Sequence, residues 1–296
     1  MKNESRFISV IITIYKRLEF YNDAIQSVID QSLSKDEYEI IVVHCIDIEQ
    51  KFNNIKYIKS GDVTIGEQLS IGVRNSKGNI IVFLDDDDVF TQNKLQVVYN
   101  AFNDKKLVYF HNNHKNIDQF GKIINYNKYG SPCFNMSSIA VRKDILNLTH
   151  LEQLEILQDT FMYFSAIEFN GKIKISNEVL TLYRIHNKNV SINRDSFESI
   201  RINILFRNQY IIFLNWFKTK RVRNKIESEI IFWNIILFIN DSLEKSNIEI
   251  LWFLFFGHIN IIRKIKSSIA YILYKHNMFK KFIKQIVNGR TKKIFR

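Results

Sequence analysis

Cysteine is nearly absent from this chain. Cys45 and Cys133 are the two in 296 residues, too few and too far apart for a disulfide framework or a zinc cluster, and this suits a reducing cytoplasm. A cleavable signal segment is also missing: Met1–Arg6 is polar and runs straight into a strand-like segment. The expectation is a protein that stays in the cytoplasm where it is made. The strongly apolar run Ile250–Ile262 contains Gly257, His258 and Asn260 and falls short of the roughly 20 residues needed to span a bilayer. Glycine is lacking after the first apolar run, at Ile14-Tyr-Lys-Arg17. This argues against the glycine-rich, basic phosphate loop of a nucleotidyltransferase.

Hydrophobic residues make up 46% of the chain and charged residues 24%. That is the balance of a folded protein, long enough for one large domain or a domain with a substantial appendage. The formal charge of +12 raises the question of nucleic acid, so its location matters. Residues 201–296 hold 19 Lys and Arg against 5 Asp and Glu, net +14, which leaves 23 against 25, net −2, for residues 1–200. The basicity belongs to the C-terminal part, and nucleic acid is not the expected partner.

Phe7–Ile14 is a β-branched apolar run of the kind buried on both faces of a parallel sheet. Leu18, Tyr21, Ile25, Val28 and Ile29 share one face of a helix between Arg17 and Gln31. Strands are predicted at Tyr38–Val43, Ile55–Ile58, Ile80–Leu84 and Leu107–Phe110, with helices at Ile65–Ser76 and Asn93–Phe102. This alternation predicts a doubly wound α/β domain with a mostly parallel sheet over residues 1–196, in which ligands bind beyond the carboxyl ends of the strands. The polar stretches Asn112–Gln119 and Tyr126–Pro132 read as loops. Short strands at Ser137–Val141, Lys172–Ser176 and Val179–Arg184 flank a helix at Leu154–Ile167. Residues 197–296 read as a basic, apolar helical region, with clusters at Ile202–Phe217, Ile230–Ile239 and Ile250–Ile262.

Four consecutive carboxylates, Asp85–Asp88, close the strand Ile80–Leu84. Neighbouring like charges cannot all stay ionised without a counterion. A hard divalent cation with oxygen ligands, Mn²⁺ or Mg²⁺, bridging carboxylate and diphosphate oxygens, meets that need. Strand alternation would point Asp85 and Asp87 one way and Asp86 and Asp88 the other. The competing reading is a solvated acidic turn that also caps the following helix.

The surroundings sharpen the choice. Gly78-Asn-Ile-Ile-Val-Phe-Leu-Asp-Asp-Asp-Asp88, the opening Ser9-Val-Ile-Ile-Thr-Ile-Tyr-Lys-Arg17, and then Ile117–Lys122, Ser137–Lys143, Gln158-Asp159 and Tyr183-Arg-Ile-His186 with Ser191 occur in the order of a known family. Over about residues 7–190 the chain resembles the inverting family 2 glycosyltransferases, whose nucleotide-binding domain has the GT-A fold. The resemblance implies transfer from a nucleotide-diphosphate sugar. Thr13, Tyr15, Arg17, Asp85 and Asp86 would then lie on the donor, with Asp85 on its ribose. Asp87 would bind the cation together with the diphosphate, and Asp88 would support the site. Asp159 would be the base that takes the acceptor proton, beside Gln158 where the family often has glutamate. His186 could approach the metal, and Arg184 and Lys188 could meet phosphate or acceptor. On their residue types alone, Asp159 could equally be an exposed helix residue, His186 a surface residue, and Arg184 and Lys188 solvated charges.

The family pattern breaks in places. An aspartate pair expected after the second strand is His44-Cys45, with Asp47 nearby as the candidate substitute; Thr13 replaces a proline and Lys16 an asparagine. An expected Arg-Asn pair falls on Leu69 and Ser70, while Arg74-Asn75 lies five residues later, which makes Arg74 the candidate donor contact. These departures bear on the donor more than on the reaction class. The run Ile250–Ile262, flanked by Arg263, Lys264 and Lys266 and followed by Lys280, Lys281 and Lys284, suggests an interfacial helix meeting anionic headgroups. The enzyme would then be peripheral on the inner face of the cell membrane, with a lipid-linked or surface-glycan acceptor. The alternative is a helical core packed on the catalytic domain or on a partner in a homo-oligomer. The rival for the whole chain is a nucleotide-, membrane- or nucleic-acid-binding protein of this fold without transferase activity.

Overall fold

The structure is a computed structural model that describes residues 6–124, 135–186 and 196–239. Cys133, Lys188, Ser191, the stretch Tyr126–Pro132, and the run Ile250–Ile262 with its basic flanks lie outside the described residues. The chain divides into two compact units, one of residues 1–127 and 132–186, the other of residues 128–131 and 187–296.

The first unit is built on β1 (Ile8–Ile14), α1 (Tyr21–Ile29), β2 (Tyr38–His44), β3 (Lys56–Lys59), α2 (Ile65–Arg74), β4 (Ile80–Asp85), β5 (Val89–Phe90), α3 (Lys94–Ala101), β6 (Leu107–Ile117), β7 (Ile139–Arg142), α4 (Leu148–Glu152), α5 (Gln158–Glu168) and β8 (Lys172–Arg184). The eight strands form one sheet in the order β3-β2-β1-β4-β7-β6-β8-β5. The first four are parallel, β6 and β8 are parallel, and β7 and β5 run antiparallel to their neighbours.

All seven residues of β1 are buried, because helices cover both faces. Ile8, Val10, Ile12 and Ile14 pack with Ala24, Ile25 and Val28 of α1 and with Leu95 and Val98 of α3. Ile11 points the other way, onto α2, where a Cβ on Gly72 would meet its Cγ2 at 2.5 Å. The doubly wound expectation therefore holds. α2 starts at Thr64, whose hydroxyl accepts from Glu67 N while the Glu67 carboxylate accepts from Thr64 N, a reciprocal cap that closes two orphan donors. Gly78 is required before β4, since a Cβ there would lie 2.6 Å from both Phe7 O and Ser9 N.

Three local expectations fail. Asn112–Ile117 is strand, not loop: β6 continues through it, paired with β8 from Asn113↔Val179 to Ile117↔Arg184 with register irregularities at the start. Its polar side chains mislead because the sheet extends beyond the apolar core there. The expected strands Lys172–Ser176 and Val179–Arg184 are one strand, and the helix expected from Leu154 begins only at Gln158, after Leu157 in the left-handed conformation.

In the second unit α6 (Ser196–Trp216) and α7 (Lys220–Ile239) confirm the helical reading of those segments. Phe206 stacks on Trp233 with centroids 5.0 Å apart, and Arg207 Nε donates to Asn234 Oδ1 at 2.7 Å. No helix among the described residues is long and apolar enough to cross a membrane.

Candidate active site

β4 ends at Asp85, which pairs with Thr13 at the end of β1. The next three aspartates therefore do not alternate as on a strand. Asp85–Asp88 is a turn closed by Asp88 N donating to Asp85 O at 3.3 Å, and it separates the carboxylates differently from the alternation expected. Asp86 turns toward the loop after β1: its Oδ2 accepts from Tyr15 N at 3.1 Å and its Oδ1 from Arg17 Nη2 at 2.6 Å. Asp85, Asp87 and Asp88 converge instead, each placing an oxygen within 4.8 Å of the others.

Charge is distributed unevenly over the four. Burial, joined by the charges of Asp87 and Asp86, pushes Asp85 up to about 7. Burial likewise pushes Asp86 up to about 7 against the pull of Arg17. Burial drives Asp88 well above the usual carboxylate range, and the charges of Asp87 and Asp85 add to this. Burial would raise Asp87 too, but the hydrogen bond from His186 and the charge of Arg17 outweigh it and hold that carboxyl below its ordinary value. Asp87 is thus the ionised member. Its Oδ2 accepts from Arg17 Nη1 at 2.7 Å and from His186 Nε2 at 3.0 Å. Asp88 Oδ1 accepts from Arg184 N at 2.9 Å, while its Oδ2 is buried without a hydrogen-bond partner. A buried carboxylate oxygen left unpaired is costly, and three convergent oxygen donors suit a hard divalent cation. The residues therefore fit Mn²⁺ or Mg²⁺.

Arg184 is fully buried, so the solvated-charge reading fails. Its Nε donates to Asp87 O at 2.8 Å, Nη1 to Gln119 O at 3.1 Å and Nη2 to Asp23 Oδ2 at 2.9 Å, and its guanidinium lies 4.6 Å from the centre of the Phe20 ring. His186 is likewise buried, against Phe20, and is not a surface residue. Asp159 sits in the first turn of α5, half-buried, with Oδ1 accepting from Thr160 N at 2.6 Å. Burial raises it to about 6, and its charge is the smallest of the influences that raise Asp85. Gln158 Nε2 beside it is buried without a partner.

Two candidates are paired with other side chains. Asp47 is exposed in the loop after β2, with Oδ1 2.7 Å from Lys59 Nζ. Arg74 ends α2, paired with Glu152, and from there the chain enters β4 at the end opposite Asp85. A charged residue in a loop or a helix terminus carries no directional signal in sequence.

The sequence reading missed a buried polar layer under the turn. Ser137 Oγ accepts from Asp85 N at 3.0 Å, and Ser137 O accepts from Thr181 Oγ1 at 2.9 Å and from Lys94 Nζ. Lys94, Ser137, Thr181 and Asn112 are all 0% exposed. Only apolar neighbours at Leu95 and Val98 could have hinted at Lys94, which otherwise reads as a solvated helix charge.

A carboxylate turn beyond the carboxyl ends of β1 and β4, in a sheet of this order, is that of a GT-A-type fold. Solved structures of that kind resemble the chain: TarS residues 1–349 of S. aureus in complex with UDP-GlcNAc, 15% identical with TM-score 0.58 over 97% of this chain and 88% of that one; and the mannosyltransferase PcManGT of Pyrobaculum calidifontis in complex with GDP-Man and Mn²⁺, 12% identical with TM-score 0.59 over 97% and 85%. At that identity they speak for the fold. The sequence itself is similar to a known family: residues 9–143 match Glycosyl transferase family 2. Among curated relatives, the poly(ribitol-phosphate) beta-N-acetylglucosaminyltransferase TarP of Staphylococcus aureus (strain N315) is 24% identical over 242 residues, 70% of each protein. By contrast, the matches to uncharacterized glycosyltransferases of Rickettsia species cover only about a fifth of those proteins' length.

Proposed function

We propose that the chain is an inverting, metal-dependent glycosyltransferase that moves a sugar from a nucleotide-diphosphate sugar to an acceptor hydroxyl. The observation that carries this reading is the convergence of Asp85, Asp87 and Asp88 within 4.8 Å of one another, and Asp159 in the first turn of α5 is the proposed base. Asp85, Asp87 and Asp88 would hold Mn²⁺ or Mg²⁺, with His186 behind Asp87. When bound, the cation supplies positive charge to the departing diphosphate. Thr13, Tyr15, Arg17 and Asp86 line the donor side. Asp159, raised to about 6, accepts the acceptor proton near neutral pH. Inversion would require that carboxylate and the leaving diphosphate to lie on opposite sides of the anomeric carbon.

A surface glycan is the proposed acceptor class, supported by the poly(ribitol-phosphate) named for the relative TarP. Residues 1–196 are the proposed catalytic domain. Residues 197–296 are proposed to meet an anionic membrane surface from the cytoplasmic side or to mediate homo-oligomer contacts. The reading is tested by a panel of nucleotide sugars with Mn²⁺ or Mg²⁺, scoring release of nucleoside diphosphate by the native chain and by Asp87→Asn and Asp159→Asn. Metal-dependent release that both substitutions abolish supports it. Failure of every donor, together with nucleotide binding indifferent to metal, would sink it in favour of a binding protein.

A further inference from the structure

A lysine buried in a protein interior loses its hydration and needs a reason to be there. Lys94, the first residue of α3, is fully buried. Its Nζ donates to Ser137 O and, at 3.0 Å, to Thr181 Oγ1, and lies 3.8 Å from the centre of the Phe90 ring. Among the described residues no carboxylate oxygen lies within ion-pair distance of it. Burial pushes the ammonium well below the usual lysine range, opposed by the charge of Asp88.

The contacts of Lys94 form a brace rather than an ion pair. Ser137 O receives both Lys94 and Thr181, and Thr181 Oγ1 also accepts from Asn112 Nδ2 at 2.9 Å. Ser137 is thereby fixed between α3, β6 and β8, and its hydroxyl in turn accepts from Asp85 N. The carboxylate turn begins at that amide.

We propose that Lys94 is a positioning residue for the carboxylate turn: through Ser137 it sets the backbone at Asp85, and it thereby sets the affinity of Asp85, Asp87 and Asp88 for a divalent cation. The second half rests on the function proposed above; the first does not. Groups one layer behind metal ligands commonly alter affinity by about 10- to 100-fold.

The test uses the full chain and Lys94→Met, which keeps an unbranched stem and removes the donors. Thr181→Val, which removes the parallel donor to Ser137 O, is the second variant should Lys94→Met fail to fold. Two quantities are read: Mn²⁺ affinity from the electron paramagnetic resonance of free Mn²⁺, and hydrogen exchange of the segment 85–90 against that of β1. The expected result is Mn²⁺ binding weakened at least tenfold and faster exchange in 85–90, with β1 unchanged. Unaltered exchange in 85–90, or faster exchange with Mn²⁺ affinity within twofold of native, overturns the proposal. Should the native chain bind no Mn²⁺ at all, the proposed function falls, and the exchange of 85–90 alone decides whether Lys94 positions the turn.

Discussion

Arg17 Nη1 and Asp87 Oδ2 meet at 2.7 Å, on the oxygen that also accepts from His186 Nε2. The imidazole tautomer that carries its proton on Nε2 donates to this oxygen. One carboxylate thus anchors the turn to the loop after β1 and to the end of β8. Asp87→Asn removes the charge that both donors seek. Nucleoside diphosphate release is expected to fall by roughly 10²-fold or more, with binding of Mn²⁺ lost in parallel; a variant retaining native release rates would remove Asp87 from the site.

Asp159 predicts a pH profile. Its folded value of about 6 lies above its ordinary 3.8, and a base works in its ionised form, so kcat/KM is expected to rise as pH climbs through about 6. A rate profile flat from pH 5 to 8 would contradict this.

The same shift has a stability consequence of opposite sense. Between its unfolded and folded values the native state binds more protons than the unfolded state, so stability falls as pH rises from about 4 to 6. Asp159→Asn removes that cost and leaves an acceptor for Thr160 N. The inactive variant is therefore expected to be more stable than the native chain above pH 6, by about 1–3 kcal/mol, and equal to it near pH 4. Urea unfolding at the two pH values measures the difference.

Lys16, in the turn between Tyr15 and Arg17, has φ 60. The left-handed region costs an ordinary side chain about 1 kcal/mol, while asparagine tolerates it, which gives a physical reason for the asparagine usual there in the family. The exposed pair of Lys16 with Asp62 is worth little. Lys16→Asn is expected to stabilise by about 0.5–1 kcal/mol; a lower melting temperature would argue that the lysine side chain matters more than the backbone.

Gly78 admits no side chain between Phe7 and Ser9. Gly78→Ala is expected to destabilise by about 1–3 kcal/mol through displacement of β1 from β4, visible as a lower urea midpoint with an unchanged slope.

Sequence patterns carried the parallel half of the sheet well, because β1, β2 and β4 are buried on both faces and so write themselves as apolar runs. The antiparallel half was less legible. β5 is two residues long, and the polar end of β6 is held by pairing with β8 rather than by burial of alternating side chains. At the site, the acidic run announced itself through the implausibility of four adjacent charges. Its geometry did not, since the strand stops at Asp85 and the alternation rule stops with it. Arg184 reads either as a phosphate or acceptor contact or as a solvated charge, and Lys94 gives no signal at all. A long cationic side chain looks the same in sequence whether it ends in water or on buried carbonyls.

Arg184 spends its donors on three separated stretches of chain: Asp23 at the start of α1, Asp87 in the acidic turn and Gln119 in the tight reversal Asp118–Lys122. That reversal is consequently no free ornament on the molecular surface. Lengthening it, or grafting another in its place, would pull on a guanidinium that also grips Asp87, so alterations to the rim propagate by mechanical continuity to the chemistry.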